Sequence, residues 1–226
     1  MTELRGNRER RASEDGEPDT AATVSCFAAL GDSFTAGTGC EPGRSWADRI
    51  AAALGGDEVT YRNLAVHGAT STEVRRQVGP ALQMEPDLIS VICGVNDLLF
   101  ATRLDVLAYS RNLDGALRAA QGSLAGVRIF TATAPESWDF LGVGPRTRAR
   151  IERDAVRLNQ ATRSIAAAHD IPLLEVAGDP GLSDPENFNL DGLHPSPVGH
   201  ARAAREVAAL LTNSFGLAID DKEAFQ

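Results

Sequence analysis

From residue 24 onward, short apolar runs alternate with longer stretches in which apolar residues recur every three or four positions. VSCFAAL (24–30), VTYRNLAV (59–66), DLISVICG (87–94), VRIFTATA (127–134) and IPLLEV (171–176) have the length and the branched or aromatic content of strands. Helical periodicity predicts helices at about 45–54, 71–78, 104–121, 145–169 and 197–212; in the last, Val198, Ala201, Ala204, Ala208 and Leu211 share one face. The order βαβαβαβαβα, with near-continuously apolar strands, predicts a parallel sheet covered by helices on both faces. In such a sheet the functional loops gather at the carboxyl ends of the strands.

Composition sets the limits of this picture. The 226 residues are 43% hydrophobic, which predicts one globular domain, placed at 23–213. Residues 1–22 are charged and poor in aliphatic side chains, the composition of a disordered tail, and 214–226 read as a short acidic tail. The first twenty residues lack the apolar core of a signal peptide, and Asn96 and Asp97 interrupt the longest apolar stretch before it reaches a bilayer span. A cytoplasmic protein with no integral membrane association is the expectation. Three cysteines, Cys26, Cys40 and Cys93, are an odd number and fit reduced thiols. A formal net charge of -9 disfavours nucleic acid as a partner, because that binding relies on Lys and Arg neutralising phosphates. A small molecule or a protein remains.

The predicted strand ends carry the chemistry. Gly31, Asp32 and Ser33 follow the first strand, His67 and Gly68 the second, and Gly94, Val95, Asn96 and Asp97 the third. After the fifth, DGLHPS places Asp191 and His194 on one tight turn, and Pro195 biases His194 away from helical geometry. A serine hydroxyl is a poor nucleophile until an imidazole takes its proton, and the imidazole needs a carboxylate to fix its tautomer. Ser33, His194 and Asp191 are those residue types. The oxyanion formed by attack on an acyl carbon needs pre-placed donors, for which the N–H groups of Ser33 and Gly68 and the Asn96 amide are suited.

These blocks resemble the SGNH (GDSL) hydrolase family: GDS at 31–33, NLAVHGAT at 63–70, GVND at 94–97 and DGLH at 191–194, in that family's order, over roughly residues 24–212. The resemblance implies a flavodoxin-like three-layer α/β/α sandwich with a central five-stranded parallel sheet. It implies an ester or related acyl hydrolase working through an acyl-serine; no cofactor and no metal are expected. By carry-over, Ser33 is the nucleophile, His194 the general base and acid, Asp191 its orienting partner, and Ser33, Gly68 and Asn96 form the oxyanion hole. The second block departs from the pattern, because Gly68 follows a histidine instead of a small residue.

Competing readings lack their own signatures. GDSFTAGTG has neither the lysine of a P-loop nor the third glycine of a dinucleotide fingerprint, and the chain holds no G-x-S-x-G. A phosphopantetheine serine needs a helical bundle, which the strand before Gly31 argues against. A zinc site on Asp191, His194 and His200 lacks an accompanying HExxH or CxxC. His169 reads as a helix C-terminal residue, His200 as a packing or capping residue, and Asp32 and Asp97 as turn acceptors. His67, beside Gly68, is a candidate substrate contact. Phe34, Trp138 and Phe140 are candidate apolar substrate contacts, with Trp46 and Leu141 as further wall; Arg44, Arg146 and Arg148 are either anion-binding or solvated charge. The leading expectation is a serine esterase acting on a small-molecule or lipid-like ester. An acyltransferase or thioesterase on a biosynthetic metabolite would use the same acyl-serine, and a catalytically silent binding module would carry a broken block, which this chain does not.

Overall fold

The computed structural model describes residues 22–220. Strands β1 (Cys26–Leu30), β2 (Thr60–Asn63), β3 (Leu88–Val91), β4 (Arg128–Ala132) and β5 (Leu173–Leu174) form one parallel sheet in the order β2-β1-β3-β4-β5. Helices α1 (Ser33–Ala36), α2 (Trp46–Leu54), α3 (Ser71–Leu82), α4 (Val95–Leu99), α5 (Val106–Ser123), α6 (Pro145–Ala168) and α7 (Pro197–Phe215) connect or follow them, with 3-10 turns at 56–58, 180–183 and 185–187.

Side chains alternate across a strand, and β1 shows what that achieves here. Ala28 and Leu30 pack with Ile89, Val91 and the buried faces of α3, α5 and α6, whereas Phe27 and Ala29 pack with Leu88, Phe130, α2 and α7. Because β1 is buried on both sides, its sequence is apolar throughout, and the outcome is the three-layer α/β/α sandwich that the alternation of elements predicts. The chain winds from β1 to β2 on one side, then crosses to β3 on the other. Adjacent strands whose connections leave in opposite directions open a crevice at their carboxyl ends, here between β1 and β3.

The differences from the sequence reading lie at edges and rims. β2, an edge strand, is half-exposed instead of apolar, and its ladder ends at Asn63, three residues before the predicted limit. β5, at the other edge, has two residues instead of six. Helices α1 and α4 are too short to show periodicity and fall on the GDS and GVND blocks. Helix α3 continues through Pro80 to Leu82, past the predicted stop at 78, because Val78 and Ala81 are buried against the core and hold the last turn.

The predicted domain limits also shift. Most of the proposed N-terminal tail lies outside the described residues, but Ala22 pairs with Leu217 in an isolated bridge. Leu217 is buried and the Asp220 N–H donates to the Ala53 carbonyl, so the packed body passes the predicted limit at 213 and reaches 220. Among the described residues, no helix is long and apolar enough to cross a membrane.

Candidate active site

Ser33 opens α1 directly after β1. Asp32 caps that helix, accepting the Phe34 N–H at 3.0 Å, and a residue in the first turn of a helix has no intrahelical partner for its own N–H. The Ser33 N–H is such a group. A Cβ at position 31 would run into the Thr35 side chain, so the tight exit from β1 requires glycine there. Two distant amides hold this segment: Gln77 accepts from the Gly31 N–H at 2.8 Å and donates to the Gly31 carbonyl at 2.9 Å, and Asn63 donates to the Thr35 carbonyl at 2.7 Å.

His194 arrives from the opposite end of the chain on a closed turn. The Gly192 N–H donates to the Asn189 carbonyl, the Asn189 N–H donates to the His194 carbonyl, and Phe188 pairs with Pro195. The Asn189 side chain bonds the Pro195 carbonyl at 2.7 Å and the Gly39 carbonyl at 3.2 Å, tying the turn to the loop that follows the serine. The result is a continuous hydrogen-bonded chain: Ser33 Oγ lies 3.0 Å from His194 Nε2, and His194 Nδ1 lies 2.6 Å from Asp191 Oδ2. With Nδ1–H donating to the carboxylate, Nε2 is left to accept the serine proton.

Asp191 is well placed for that duty. Partial burial alone would raise its carboxyl. The bond from His194, with the Leu193 and His194 N–H groups on Oδ1 at 2.9 and 3.0 Å, holds it below its ordinary value. It stays ionised beside the imidazole. Asp32, in contrast, is pushed up to about 7 by burial, with the Asp97 carboxylate adding to the effect and the Phe34 N–H opposing it.

The other rim residues converge on the same place. Asn96, buried in α4, donates through Nδ2 to the Ala69 carbonyl at 3.0 Å, which fixes the loop carrying Gly68. An amide nitrogen has two hydrogens, and one remains for another acceptor. Gly68 has φ of 79°, a conformation that favours glycine. Asp97, partly buried, accepts from the Ser71 N–H and hydroxyl at 2.8 and 2.6 Å; burial raises its carboxyl and the Ser71 bonds counter this. Asp32 and Asp97 thus both accept backbone N–H groups at the rim.

Phe34 packs on the His194 ring, with the ring centres 5.8 Å apart. His67 packs there too, at 5.5 Å, and its Nδ1 bonds the Thr38 hydroxyl at 3.0 Å. Of the residues expected as apolar substrate contacts, Trp138 is buried and Phe140 is partly exposed. Trp138 is 4% exposed within the larger core, and Phe140 packs on Phe188 with the rings tilted by 45°. The loop after β4 turns inward because Asn159 grips both the N–H and the carbonyl of Ala134 at 2.8 Å.

The remaining histidines hold the frame. His200 is fully buried and receives the Trp46 N–H on Nδ1, while Nε2 faces the Thr38 carbonyl at 3.3 Å; burial lowers its basicity. It pins α7 to α2 and to the serine loop. His169 caps the end of α6 and bonds Asp114 at 2.8 Å and Gln121 at 3.1 Å. Arg44 and Arg146 are exposed, and Arg148 bonds the Leu141 carbonyl and pairs with Asp139. Gln77, Asn63 and Asn189 escape a sequence reading, because a lone amide that reaches a distant loop leaves no periodic or motif signal.

Comparisons with known proteins bear on the fold and the family. The profile of the GDSL-like lipase/acylhydrolase family matches residues 29–202. Among solved structures, a lipase/acylhydrolase from Enterococcus faecalis is 21% identical with a TM-score of 0.67, over 88% of this chain and 98% of that one. The psychrotrophic esterase EstA from Pseudoalteromonas is 18% identical with a TM-score of 0.66, over 84% and 97%. An extracellular lipase from Streptomyces rimosus is 19% identical with a TM-score of 0.62, over 82% and 99%. At these identities the three share the fold. No curated protein sequence matches the chain.

Proposed function

The chain belongs to the GDSL-like lipase/acylhydrolase family, and from that premise we propose that it is a cofactor-independent serine esterase acting on a small-molecule or lipid-like ester. Ser33 Oγ attacks the acyl carbon as His194 Nε2 takes its proton. Asp191 keeps the imidazole in the tautomer that can accept at Nε2, and stabilises the imidazolium that forms. The Ser33 and Gly68 N–H groups and the free hydrogen of the Asn96 amide receive the oxyanion. The imidazolium then gives its proton to the leaving alcohol, and the acyl group stays on Ser33. Water, deprotonated by His194, attacks the acyl-serine and releases the acid, and the proton returns to Ser33.

The observation that carries this reading is the unbroken relay from Ser33 Oγ through His194 to Asp191, with contacts of 3.0 and 2.6 Å. Its test is hydrolysis of a p-nitrophenyl ester series from acetate upward by wild type and Ser33→Ala at equal concentration. The reading requires turnover by the wild type and none above background by the variant.

A further inference from the structure

Behind the proposed serine and histidine lies a cavity of about 170 Å³ that the mechanism above does not use. Its walls are mostly apolar: Trp46 from α2, Ile92 after β3, Ala132 of β4, Leu174 of β5, and Leu182 and Val207 from the loop and helix that follow. Its inner end is formed by Asp32 and Phe34, the two neighbours of Ser33, and by Pro195, the neighbour of His194. Phe34 thus lines the cavity and also packs on the His194 ring, 5.8 Å from it.

The outer end has a different character. Glu175, Asp179, Arg202 and Glu206 line both the cavity and a polar surface hollow that also includes Glu136 and Arg163. Glu175 and Glu206 have side chains about half-exposed, so this end meets solvent. Four carboxylates against two guanidiniums make it net negative.

We propose that this cavity binds a hydrocarbon chain with an uncharged end. An apolar cavity of about 150 Å³ is large enough to take benzene, so a chain of about six carbons is the size to expect here. The negative mouth repels a free carboxylate and admits an alcohol or an ester. Two sources supply such a chain: the acyl group of the substrate, a case that rests on the esterase reading, or a separate neutral molecule entering by the mouth.

The test uses 1-hexanol, read by calorimetry and by tryptophan emission, on wild type and on two variants that fill the cavity from different walls, Ala203→Leu from α7 and Leu182→Phe from the 180–183 turn, both residues lining it and each variant checked for folding by thermal melting. Wild type gives saturable binding with a negative heat-capacity change. Both filled variants lose more than about tenfold in affinity, since room for several methylenes is gone. Hexanoate at neutral pH binds more weakly than hexanol. Absence of saturable hexanol binding to wild type overturns the proposal, as does equal binding to folded filled variants. The binding readout does not depend on hydrolysis, so it stands or falls separately from the esterase reading. The ester series then separates the sources: a loss of kcat/KM on the hexanoate ester and not the acetate ester in the filled variants assigns the chain to the substrate, and an unchanged acetate-to-hexanoate ratio assigns it to a separate ligand.

Discussion

Replacing Asn96 by alanine removes two interactions that register in different measurements. One hydrogen of the amide goes to the Ala69 carbonyl at 3.0 Å; the other is assigned to the oxyanion. A donor that acts on the oxyanion strengthens only as charge develops, so its loss lowers kcat and leaves KM nearly unchanged. Loss of one such donor costs about a hundredfold to a thousandfold, roughly 2.7–4 kcal/mol. The Ala69 carbonyl, left without its donor beside a residue only 6% exposed, costs about 1–3 kcal/mol of folding stability. Steady-state hydrolysis of p-nitrophenyl acetate gives the first quantity, and urea denaturation gives the second. A folded Asn96→Ala protein that keeps more than about a tenth of wild-type kcat refutes the oxyanion role. A loss confined to the denaturation midpoint assigns Asn96 to holding the Gly68 loop and nothing more.

Three further outcomes follow from the same contacts. Asp191→Asn keeps the shape of the turn but presents the wrong tautomer to Ser33, and kcat falls by about 10⁴, as the same change does in other Ser-His-Asp triads; near-wild-type turnover refutes the orienting role. The Asp32 carboxyl, raised from 3.8 to about 7, favours folding when neutral, so its contribution is complete below pH 3.8 and is lost as pH rises through 7. Asp32→Asn keeps the cap, and its melting temperature relative to wild type rises across that window; a flat difference contradicts the assignment. His200, whose basicity burial lowers from an ordinary value of 6.5, supports folding above that pH, and the support is lost as pH falls below it. His200→Leu is less stable than wild type at neutral pH, and the gap between them narrows as the solution is acidified.

Much of this architecture was legible because burial imposes simple periods. A strand covered on both faces is apolar throughout, as in β1, and a helix covered on one face repeats its apolar residues at three or four, as in α7. Edge strands obey neither rule, which is why β2 and β5 are shorter than their apolar runs. The approach of Ser33, His194 and Asp191 was also legible, because the order of elements puts the first and last of these loops on one rim. What holds the loops there was not. Gln77, Asn63 and Asn189 act across long sequence separations through single amides, and no local pattern marks the carbonyl each will find. Trp138 misleads for the opposite reason. A large apolar residue in a rim loop looks like a substrate wall, but Asn159 fixes the start of that loop and Trp138 turns inward.

The identity of the nucleophile is tested most directly by trapping it. A fluorophosphonate ester reacts with an activated serine hydroxyl and leaves a stable adduct whose position peptide mass spectrometry reports. One adduct, on Ser33, with loss of hydrolysis in proportion to labelling and no adduct on Ser33→Ala, is the predicted result. Labelling at another residue, or hydrolysis and labelling that persist in Ser33→Ala, would contradict it.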